Sequence, residues 1–334
     1  MKPHEPFMQR ALELARRGEG LTRPNPPVGA LLVQNGKIIA EGFHKKAGGP
    51  HAEVNCLSNV PKVGKSAVLY VTLEPCSTHG RTPPCTDLIL ERGIRHVVIG
   101  AKDPNPAHAG RGLRLLRRAG VEVVSGVCRN EAEALIAPFA KRMLTGLPYV
   151  TLKLGVTMDG RIADRTGRSQ WITGPKARVK VQELRRRADA VMVGAGTVRA
   201  DDPSLLPRPA KGRAPWRVVV GSRVPKGSRV LTDEAADRTL VMDGPLDGIL
   251  HSLAAQGMMH VLCEGGGELA GSLVRAGLVD EFVFFAAPSI LGGDGFPMFG
   301  KTGWLMDEKP LLSFQTLEKI GNDVFITAVP AGKE

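Results

Sequence analysis

Four residues in the first third of the chain have the types and the order needed for a catalytic zinc site. His51 and Glu53 lie in the stretch HAEV, and Cys76 and Cys85 bound the stretch CSTHGRTPPC. Two thiolates and a neutral imidazole neutralise a zinc ion, and three protein ligands leave its fourth position open to activate water. Glu53 can lie beside the metal without binding it and carry a proton to a leaving group.

The joint order of these residues favours a metal site over simpler interpretations. Alone, a His-x-Glu pair would be two surface residues on a helix, and a lone cysteine would be a small hydrophobe. His-x-Glu followed by Pro-Cys and a second cysteine is the order of zinc deaminases, whose two cysteines are usually separated by two residues. Eight residues separate Cys76 from Cys85. The pattern therefore predicts a deaminase-type centre for one zinc ion, with a long loop between the cysteines.

The segments around these residues follow an α/β pattern. Apolar residues recur at helical spacing from Phe7 to Arg17, and Asn35-Gly36 predicts the turn of a hairpin. Helices are also predicted in HAEVNCLSNV, PPCTDLILERG and GRGLRLLRRAG, and strands in AVLYVTLE, RHVVIGA and VEVVSG. Strands that alternate with helices imply parallel pairing. We expect each zinc ligand at or near a helix start, where the pKa of a thiolate is lowered.

A second α/β domain is predicted after Gly146. The chain has 334 residues, and single cores stop growing near about 250–300 residues. New strand patterns appear in YVTLKLGVTMDG, ADAVMVGAGTV, WRVVVGS, RTLVMD, HVLCEGGG and EFVFFAAP. The sequence therefore predicts one domain over residues 1–146 and another over residues 147–334.

Two glycine-containing turns in the second half could bind phosphate. Gly265 to Gly267 and Gly194 to Thr197 each follow a predicted strand, where backbone amides can approach an anion at a helix start. One such turn could simply be tight, but two in one domain favour a phosphate-bearing cofactor. Neither turn is the GxGxxG fingerprint. Gly221-Ser222-Arg223 follows the strand RVVV without an acidic residue, which suits the extra phosphate of NADP.

Composition narrows the class of partner. The formal charge is +12, but the basic residues are scattered and aromatic residues make up only 4%. Because stacking platforms for single-stranded bases are scarce, small phosphorylated molecules are favoured over nucleic acid. No signal peptide and no apolar run of about 18 residues is present, so we expect no membrane contact and a cytoplasmic location. Five cysteines form no disulfide framework, and Cys56, Cys128 and Cys263 are interpreted as structural.

The first half resembles a known family. The stretches PNPPVGA, HAEV, TLEPCSTHGRTPPC and DPNP together resemble the deaminase half of the bifunctional riboflavin-biosynthesis family RibD. The resemblance implies a cytidine-deaminase-like zinc domain in which the long cysteine loop helps to bind a phosphorylated pyrimidine. It also implies that His51, Cys76 and Cys85 are the zinc ligands and that Glu53 is the proton donor. Substrate contacts are implied at Asn25, His44, His79 and Arg81. Asn25 could equally cap a turn, and the two histidines could be polar loop residues.

The second half is similar to the reductase half of the same family, whose fold is like dihydrofolate reductase. The similarity lies in YVTLKLGVTMDGRIA, SQWITG, DAVMVGAGTVRADDPSL and EGGGELAG. It implies an NADPH site lined by Gly155, Trp171, Thr197, Asp201, Ser222, Gly266, Gly267, Glu268, Leu269, Ala270, Gly271 and Ser272. It implies a substrate site lined by Ser169, Arg185, Leu205, Arg208 and Glu264. Lys153 and Asp159 flank the turn in KLGVTMDG and are expected to lie near the transferred hydride.

Some of these residues have other interpretations without the family. Arg185, inside RRR, would be a solvated charge, and Trp171 would be a core aromatic. The chain also departs from the family at Thr157, where serine is usual, at Gly221, where aspartate is common, and at Leu206-Pro207, where a pair with threonine is common.

The resemblance implies a two-step enzyme of riboflavin synthesis. The first domain would deaminate 2,5-diamino-6-(5-phosphoribosylamino)pyrimidin-4(3H)-one, and the second would reduce the ribosyl group of the product with NADPH. One alternative is a tRNA adenosine-type deaminase with an accessory nucleotide-binding domain, whose binding would weaken steeply with salt. Another is a non-enzymatic sensor of zinc and nucleotide, which would not need Glu53 beside an open metal position. A homo-oligomer is compatible with all three.

Overall fold

The computed structural model describes residues 3–79, 83–209 and 213–332. The chain divides into two compact units, Met1–Gly146 and Leu147–Glu334. Within the described ranges, each helix is too short or too polar to cross a membrane.

The first unit is a five-stranded sheet in the order β2-β1-β3-β4-β5, with helices on both faces. The β1–β2 and β1–β3 pairs are antiparallel, and the β3–β4 and β4–β5 pairs are parallel. The strands are β1 (Gly29–Gln34), β2 (Lys37–Phe43), β3 (Val68–Leu73), β4 (His96–Ala101) and β5 (Glu122–Ser125). The helices are α1 (Glu5–Arg16), α2 (Ala52–Leu57), α3 (Cys85–Glu91), α4 (Arg111–Arg118), α5 (Arg129–Leu135) and α6 (Ala137–Thr145).

The predicted hairpin is present in this unit. Asn35 and Gly36 both have positive φ, 52° and 74°, as a two-residue turn between β1 and β2 requires. Alternate residues of the sheet enter two separate cores. Leu32 and Val71 pack towards α2, α3 and α4, whereas Leu31 and Tyr70 pack towards α1 and α5. The sheet is therefore covered on both faces.

The second unit is an eight-stranded sheet in the order β10-β9-β8-β11-β6-β12-β15-β14. Its six strands from β10 to β12 are parallel, and the C-terminal hairpin β14–β15, which the sequence patterns did not indicate, is added antiparallel to β12. A two-stranded sheet pairs β7 with β13. The strands are β6 (Tyr149–Thr157), β7 (Arg161–Ala163), β8 (Ala190–Gly194), β9 (Trp216–Val220), β10 (Thr239–Met242), β11 (His260–Cys263), β12 (Glu281–Ala287), β13 (Phe296–Pro297), β14 (Leu312–Ile320) and β15 (Asp323–Pro330). The helices are α7 (Pro175–Arg187), α8 (Ala195–Asp201), α9 (Arg229–Thr232), α10 (Leu246–Ala255) and α11 (Gly267–Arg275), with a 3-10 turn at Ala236–Arg238.

A glycine in β2 sets how closely α2 approaches the first sheet. A Cβ on Gly42 would lie 2.3 Å from the backbone nitrogen of Cys56 and 2.6 Å from the carbonyl oxygen of Ala52. Both atoms belong to the backbone of α2, so a larger side chain would push the whole helix outward. Glu53 lies on this helix, and His51 directly precedes it.

Gly42→Ala is expected to lower the free energy of unfolding of the first unit by about 1–3 kcal/mol, because the added methyl group overpacks this contact. Urea denaturation followed by circular dichroism measures the change. Gly248→Ala in α10 is the matched control, since a Cβ there would meet no atom within 4 Å. The control should be unchanged or more stable by up to about 1 kcal/mol. Equal stability of Gly42→Ala and the unmodified chain would contradict the close approach.

Candidate active sites

His51, Cys76 and Cys85 meet at one edge of the first sheet. His51 caps the start of α2, Cys76 follows β3, and Cys85 is the first residue of α3. His51 Nδ1 lies 3.3 Å from Cys85 Sγ and 3.5 Å from Cys76 Sγ, and all three ligand atoms lie within 4.8 Å of one another. A tetrahedral zinc with bonds of about 2.1 Å to nitrogen and 2.3 Å to sulfur separates those ligands by about 3.5 Å. The donor set and its spacing therefore fit zinc.

The contact between the two cysteines prepares Cys76 for metal binding, whereas the hydrogen bond to Cys76 and burial raise the pKa of the Cys85 thiol. A hydrogen bond from the Cys85 thiol lowers the pKa of Cys76 to about 4 against the opposing effect of burial. His51 and the backbone N–H of Cys85, which lies 3.2 Å from Cys76 Sγ, lower this pKa further. Cys76 itself lies in a loop and not at a helix start as expected, but the first N–H of α3 points at its sulfur. A site that already stabilises a thiolate releases fewer protons when a metal binds.

Glu53 is buried beside the metal ligands. Its side chain is on α2 and the residue is only 4% exposed. Burial raises the pKa of Glu53 to about 7, and the negative charge of Cys76 acts in the same direction. A carboxyl group that titrates near neutral pH can both accept and return a proton. The geometry thus places a proton carrier next to the metal site.

Asn25 and His44 form a hydrogen-bonded pair next to the same site. His44 Nδ1 lies 2.9 Å from the carbonyl oxygen of Pro50, which can only accept, so Nδ1 carries the hydrogen. His44 Nε2 then accepts from Asn25 Nδ2 at 3.1 Å. Burial lowers the pKa of His44, which favours this neutral form. The ring centroids of His44 and His51 are 5.6 Å apart, so both predicted contacts lie near the metal ligands.

The other two predicted substrate contacts lie in the long cysteine loop. His79 is exposed to solvent. Arg81 lies outside the described residues.

Glu74 is a residue whose role the sequence did not indicate. Its buried carboxylate follows β3 and accepts hydrogen bonds from the backbone N–H groups of Asp103, Gly110, Gly112 and Leu113, at 2.8 to 3.3 Å. It therefore joins the loop after β4 and the start of α4 to the strand that leads to Cys76. An acidic residue at the end of a buried strand was the available signal.

The second unit contains a cavity of about 1380 Å³ at the carboxyl ends of its parallel strands. Ligands bind at this edge in open α/β sheets. The cavity exceeds the roughly 300–1,000 Å³ typical of sites for one small ligand, so a dinucleotide and a substrate can both fit. The predicted residues that line it are Lys153, Gly155, Ser169, Trp171, Arg185, Thr197, Asp201, Leu205, Arg208, Ser222, Glu264, Gly266, Gly267, Glu268, Leu269 and Ser272.

A partly buried ion pair lies in the wall of this cavity. Arg185 binds Glu264 through two hydrogen bonds, Nε to Oε1 at 2.6 Å and Nη2 to Oε2 at 3.1 Å. Lys153 Nζ lies 3.5 Å from Glu264 Oε2. Burial would raise the pKa of Glu264, but the charges of Arg185 and Lys153 prevail and hold it at about 2. Arg185 is therefore a partly buried partner of Glu264 and not a solvated charge.

The glycine-rich start of α11 faces the cavity, but the helix also has a buried face. The backbone N–H of Gly266 donates to Thr197 Oγ1 at 3.1 Å, and a Cβ on Gly267 would lie 2.4 Å from the carbonyl oxygen of Pro297. Ala270 is fully buried in the core, and a Cβ on Gly271 would meet Gly300 and Thr302. Ala270 and Gly271 thus lie on the buried face of α11 and are not among the residues that line the cavity.

The surroundings of Trp171, Asp159 and Thr157 bear on the roles expected for these residues from the sequence. Trp171 is 70% exposed, with the Arg178 guanidinium 4.6 Å from its ring, so it is not a core aromatic. Asp159 accepts from the backbone N–H groups of Leu291 and Gly292 and from Thr157 Oγ1 at 2.6 Å. Asp159 therefore secures a loop and does not line the cavity. Thr157 supplies the hydroxyl group that a serine would.

Two different families of known proteins match the two units of the chain. Residues 1–101 match the family described as the cytidine and deoxycytidylate deaminase zinc-binding region, and residues 148–326 match the RibD C-terminal domain. The riboflavin biosynthesis protein RibD of Bacillus amyloliquefaciens is 43% identical, with 98% of this chain and 96% of that protein covered. The chain belongs to the RibD family. RibD of Escherichia coli K12 is 41% identical, with 98% and 99% covered.

Solved structures of RibD proteins are similar to this chain over nearly its whole length. A protein from Thermotoga maritima, described as a diaminohydroxyphosphoribosylaminopyrimidine deaminase and 5-amino-6-(5-phosphoribosylamino)uracil reductase, superposes with a TM-score of 0.91 at 38% identity, covering 98% of this chain and 99% of that chain. RibD of Acinetobacter baumannii gives a TM-score of 0.88 at 36% identity, with 99% of each chain covered.

Membership of the RibD family confirms the expected fold class and activity. The chain has a cytidine-deaminase-like zinc domain followed by an α/β reductase domain, and it is a bifunctional deaminase and reductase of riboflavin biosynthesis. Zinc and NADPH are its cofactors, in agreement with the His-Cys-Cys cluster. The nucleic-acid deaminase and the non-enzymatic sensor are not favoured.

Cys76→Ser is expected to lose most of the bound zinc, because a neutral hydroxyl group replaces the thiolate that the site stabilises. Elemental analysis of the purified protein measures the metal content. Cys128→Ser is the control, since Cys128 is half-buried outside the cluster, and it should keep its zinc. Full zinc occupancy in Cys76→Ser would exclude Cys76 as a ligand.

Proposed function

We propose that residues 1–146 deaminate 2,5-diamino-6-(5-phosphoribosylamino)pyrimidin-4(3H)-one and that residues 147–334 reduce the resulting 5-amino-6-(5-phosphoribosylamino)uracil with NADPH to the ribitylamino product. The observation that carries the first assignment is the His-Cys-Cys cluster with Glu53 buried beside it. The second rests on the large cavity with its Lys153–Glu264–Arg185 group. The activities named for the Thermotoga maritima relative support both.

We further propose that the enzyme acts in the cytoplasm on small phosphorylated pyrimidines, without nucleic acid or membrane partners. None of the five cysteines, all of which lie within the described residues, forms a disulfide, as expected in a reducing compartment.

The deaminase step needs a nucleophile and a proton carrier. Zinc with three protein ligands and an open position lowers the pKa of a bound water. His51, Cys76 and Cys85 would hold the metal. Glu53 would take a proton from the attacking water at one carboxylate oxygen and deliver it to the departing amino group, which leaves as ammonia. Its pKa near neutral suits both transfers.

The substrate ring would be held by the pair Asn25 and His44. The Pro50 carbonyl oxygen holds the His44 hydrogen on Nδ1 and burial favours the neutral ring, so His44 keeps its orientation while Asn25 presents its amide oxygen. A carboxamide can recognise the donor groups of a pyrimidine edge. The pair therefore orients the ring without adding charge to the site.

The reductase step depends on a rigid, charged wall. NADPH would supply a hydride to the sugar carbon that bears the amine, once the ribose ring has opened to the protonated imine. Ring opening needs a proton on the ring oxygen, and Lys153 Nζ, held near Glu264, would donate it. Arg208, exposed at the cavity wall, would bind the substrate phosphate. Arg185 holds Glu264 so that Lys153 keeps its position.

One assay tests both halves together. Purified protein with the diaminopyrimidine phosphate and NADPH should release ammonia and then lose the absorbance of the reduced nicotinamide. Absence of ammonia from zinc-loaded protein would overturn the deaminase assignment. Ammonia release without oxidation of NADPH would overturn the reductase assignment.

Glu53→Gln is expected to keep its zinc but to lower kcat for ammonia release by about 10²–10⁴-fold, because the amide cannot carry the proton. Metal analysis and an ammonia assay measure the two properties. The reductase activity of the same variant, measured with the uracil substrate, is the internal control and should not change. Loss of zinc from this variant would show that Glu53 is a ligand.

Arg185→Met is expected to lower kcat/KM of the reductase by about 30-fold or more, because removing one partner of a buried charge pair costs about 2 kcal/mol or more. It should also give the pH profile a new acidic limb. In the unmodified chain Glu264 has a pKa of about 2. Its carboxyl group is therefore ionised above about pH 4 and becomes protonated only as the pH falls towards 2. Without Arg185, burial raises this pKa, and activity should fall at a higher pH.

Reductase kcat/KM measured from pH 5 to pH 8 tests this prediction. Lys180→Met is the control on the same helix, because Lys180 pairs with Glu183 outside the cavity. An Arg185→Met profile parallel to that of the control would contradict the role given to the ion pair.

A further inference from the structure

A second buried ion pair lies behind the wall of the reductase cavity. Arg217, in β9, is 0% exposed. Its guanidinium binds both carboxylate oxygens of Asp233, with Nη1 at 2.7 Å from Oδ2 and Nη2 at 2.8 Å from Oδ1. Neither residue is among those that line the cavity.

The remaining hydrogen bonds of Arg217 reach two backbone segments. Nη2 donates to the carbonyl oxygen of Val230 in α9 at 3.0 Å, and Nη1 donates to that of Ser204 at 3.2 Å. Ser204 directly precedes Leu205, a cavity residue. Asp202 Oδ1 accepts from the N–H of Arg229 at the start of α9 at 2.7 Å. The segment 202–205 is thus tied to α9 and β9 from its rear side.

This segment holds an unfavourable backbone conformation. Asp202 has φ of 41° and Leu205 has φ of 60°. This left-handed region is energetically unfavourable for a residue with a side chain. Such residues persist only where their surroundings force the conformation, and they are often found at ligand sites. Leu205 is 2% exposed and packs in one core cluster with Val219 and Val230.

A structural role alone does not account for Arg217. Replacing a buried ion pair with apolar residues of similar volume is often neutral or stabilising, so such a pair is weak evidence of a contribution to stability. An aliphatic side chain in β9 would pack against the same core. It could not donate to the Ser204 carbonyl oxygen and hold the turn in place.

We propose that Arg217 is a positioning residue for the reductase substrate, which clamps the Ser204–Leu205 turn so that Leu205 and Arg208 keep their places in the cavity wall. The inference rests on the proposed function, because it assumes that this wall contacts the phosphorylated uracil. Arg217 acts from outside the cavity and takes no part in the hydride transfer.

Arg217→Met tests the clamp, because methionine keeps an extended side chain and removes the guanidinium. We expect KM for the uracil substrate to rise about tenfold with kcat within about twofold, the pattern for lost uniform binding. The dissociation constant of NADPH, measured by calorimetry, should stay within about twofold, and ammonia release by the first unit should not change. If Arg217→Met is not recovered folded, Arg217→Lys replaces it. A lysine ammonium has three donors and cannot make the four hydrogen bonds that Arg217 makes to Asp233, Ser204 and Val230, so the same rise in KM is expected.

Two controls separate positioning from stability. In Arg217→Met/Asp233→Asn the unpaired carboxylate is gone, so the melting temperature should recover while KM stays raised. Val218→Ala creates a cavity in the core on the other face of β9 and should lower the melting temperature without raising KM. The proposal is overturned if Val218→Ala raises KM as much as Arg217→Met does, if the double variant restores KM, or if Arg217→Met leaves KM unchanged.

Hydrogen–deuterium exchange provides a readout that needs no substrate. The backbone N–H groups of Ser204, Leu205, Leu206 and Arg208 should exchange faster in Arg217→Met than in Val218→Ala. Faster exchange in a protein whose unmodified form does not oxidise NADPH would overturn the proposed function and leave the clamp standing. Unchanged exchange in an active enzyme would overturn the clamp alone.

Discussion

Four backbone N–H groups bound to the carboxylate of Glu74 hold together the edge of the first sheet at which the metal ligands meet. A buried carboxylate without partners would be expensive, so these donors also fix where the loop after β4 and the start of α4 must lie. Cys76 follows two residues after Glu74. The position of one zinc ligand thus depends on an acid that has no part in the chemistry.

The second unit places an acid at the corresponding point but partners it differently. Glu264 follows the parallel strand β11, as Glu74 follows β3. Its partners are the side chains of Arg185 and Lys153. Backbone partners make Glu74 a fixed support, whereas side-chain partners leave Glu264 and Lys153 facing the cavity with charge available to a ligand. The same position in the two sheets therefore serves structure in one and electrostatics in the other.

Residue order was enough to predict the zinc cluster, because each ligand adjoins an element whose ends the sequence marks. Partners from distant segments were not accessible in this way. In the sequence, Arg185 is one of three consecutive arginines, and only the packing of α7 against the loop after β11 shows that it pairs with Glu264. No feature of the sequence indicated a role for Arg217. The run from Gly266 to Ser272 includes two residues whose placement the sequence did not indicate: successive residues of a helix point in different directions, so Ala270 and Gly271 face inward. Asp159 was expected near the transferred hydride because it flanks the turn in KLGVTMDG, and its hydrogen bonds go to the loop at Leu291 and Gly292.

The contact between Gly267 and Pro297 has a consequence for engineering the cofactor site. The segment 297–300 is fastened by two backbone hydrogen bonds, Met298 N–H to Gly160 and Gly300 N–H to Gly267. It therefore presses on the first turn of α11 with little freedom to retreat. A larger side chain at Gly267, introduced to reshape the dinucleotide pocket, would displace the segment 297–300. Through the hydrogen bond of Met298, it would also displace the turn at Gly160. Ser222 and Arg223, exposed at the end of β9, offer a place where side chains can be exchanged without moving the backbone.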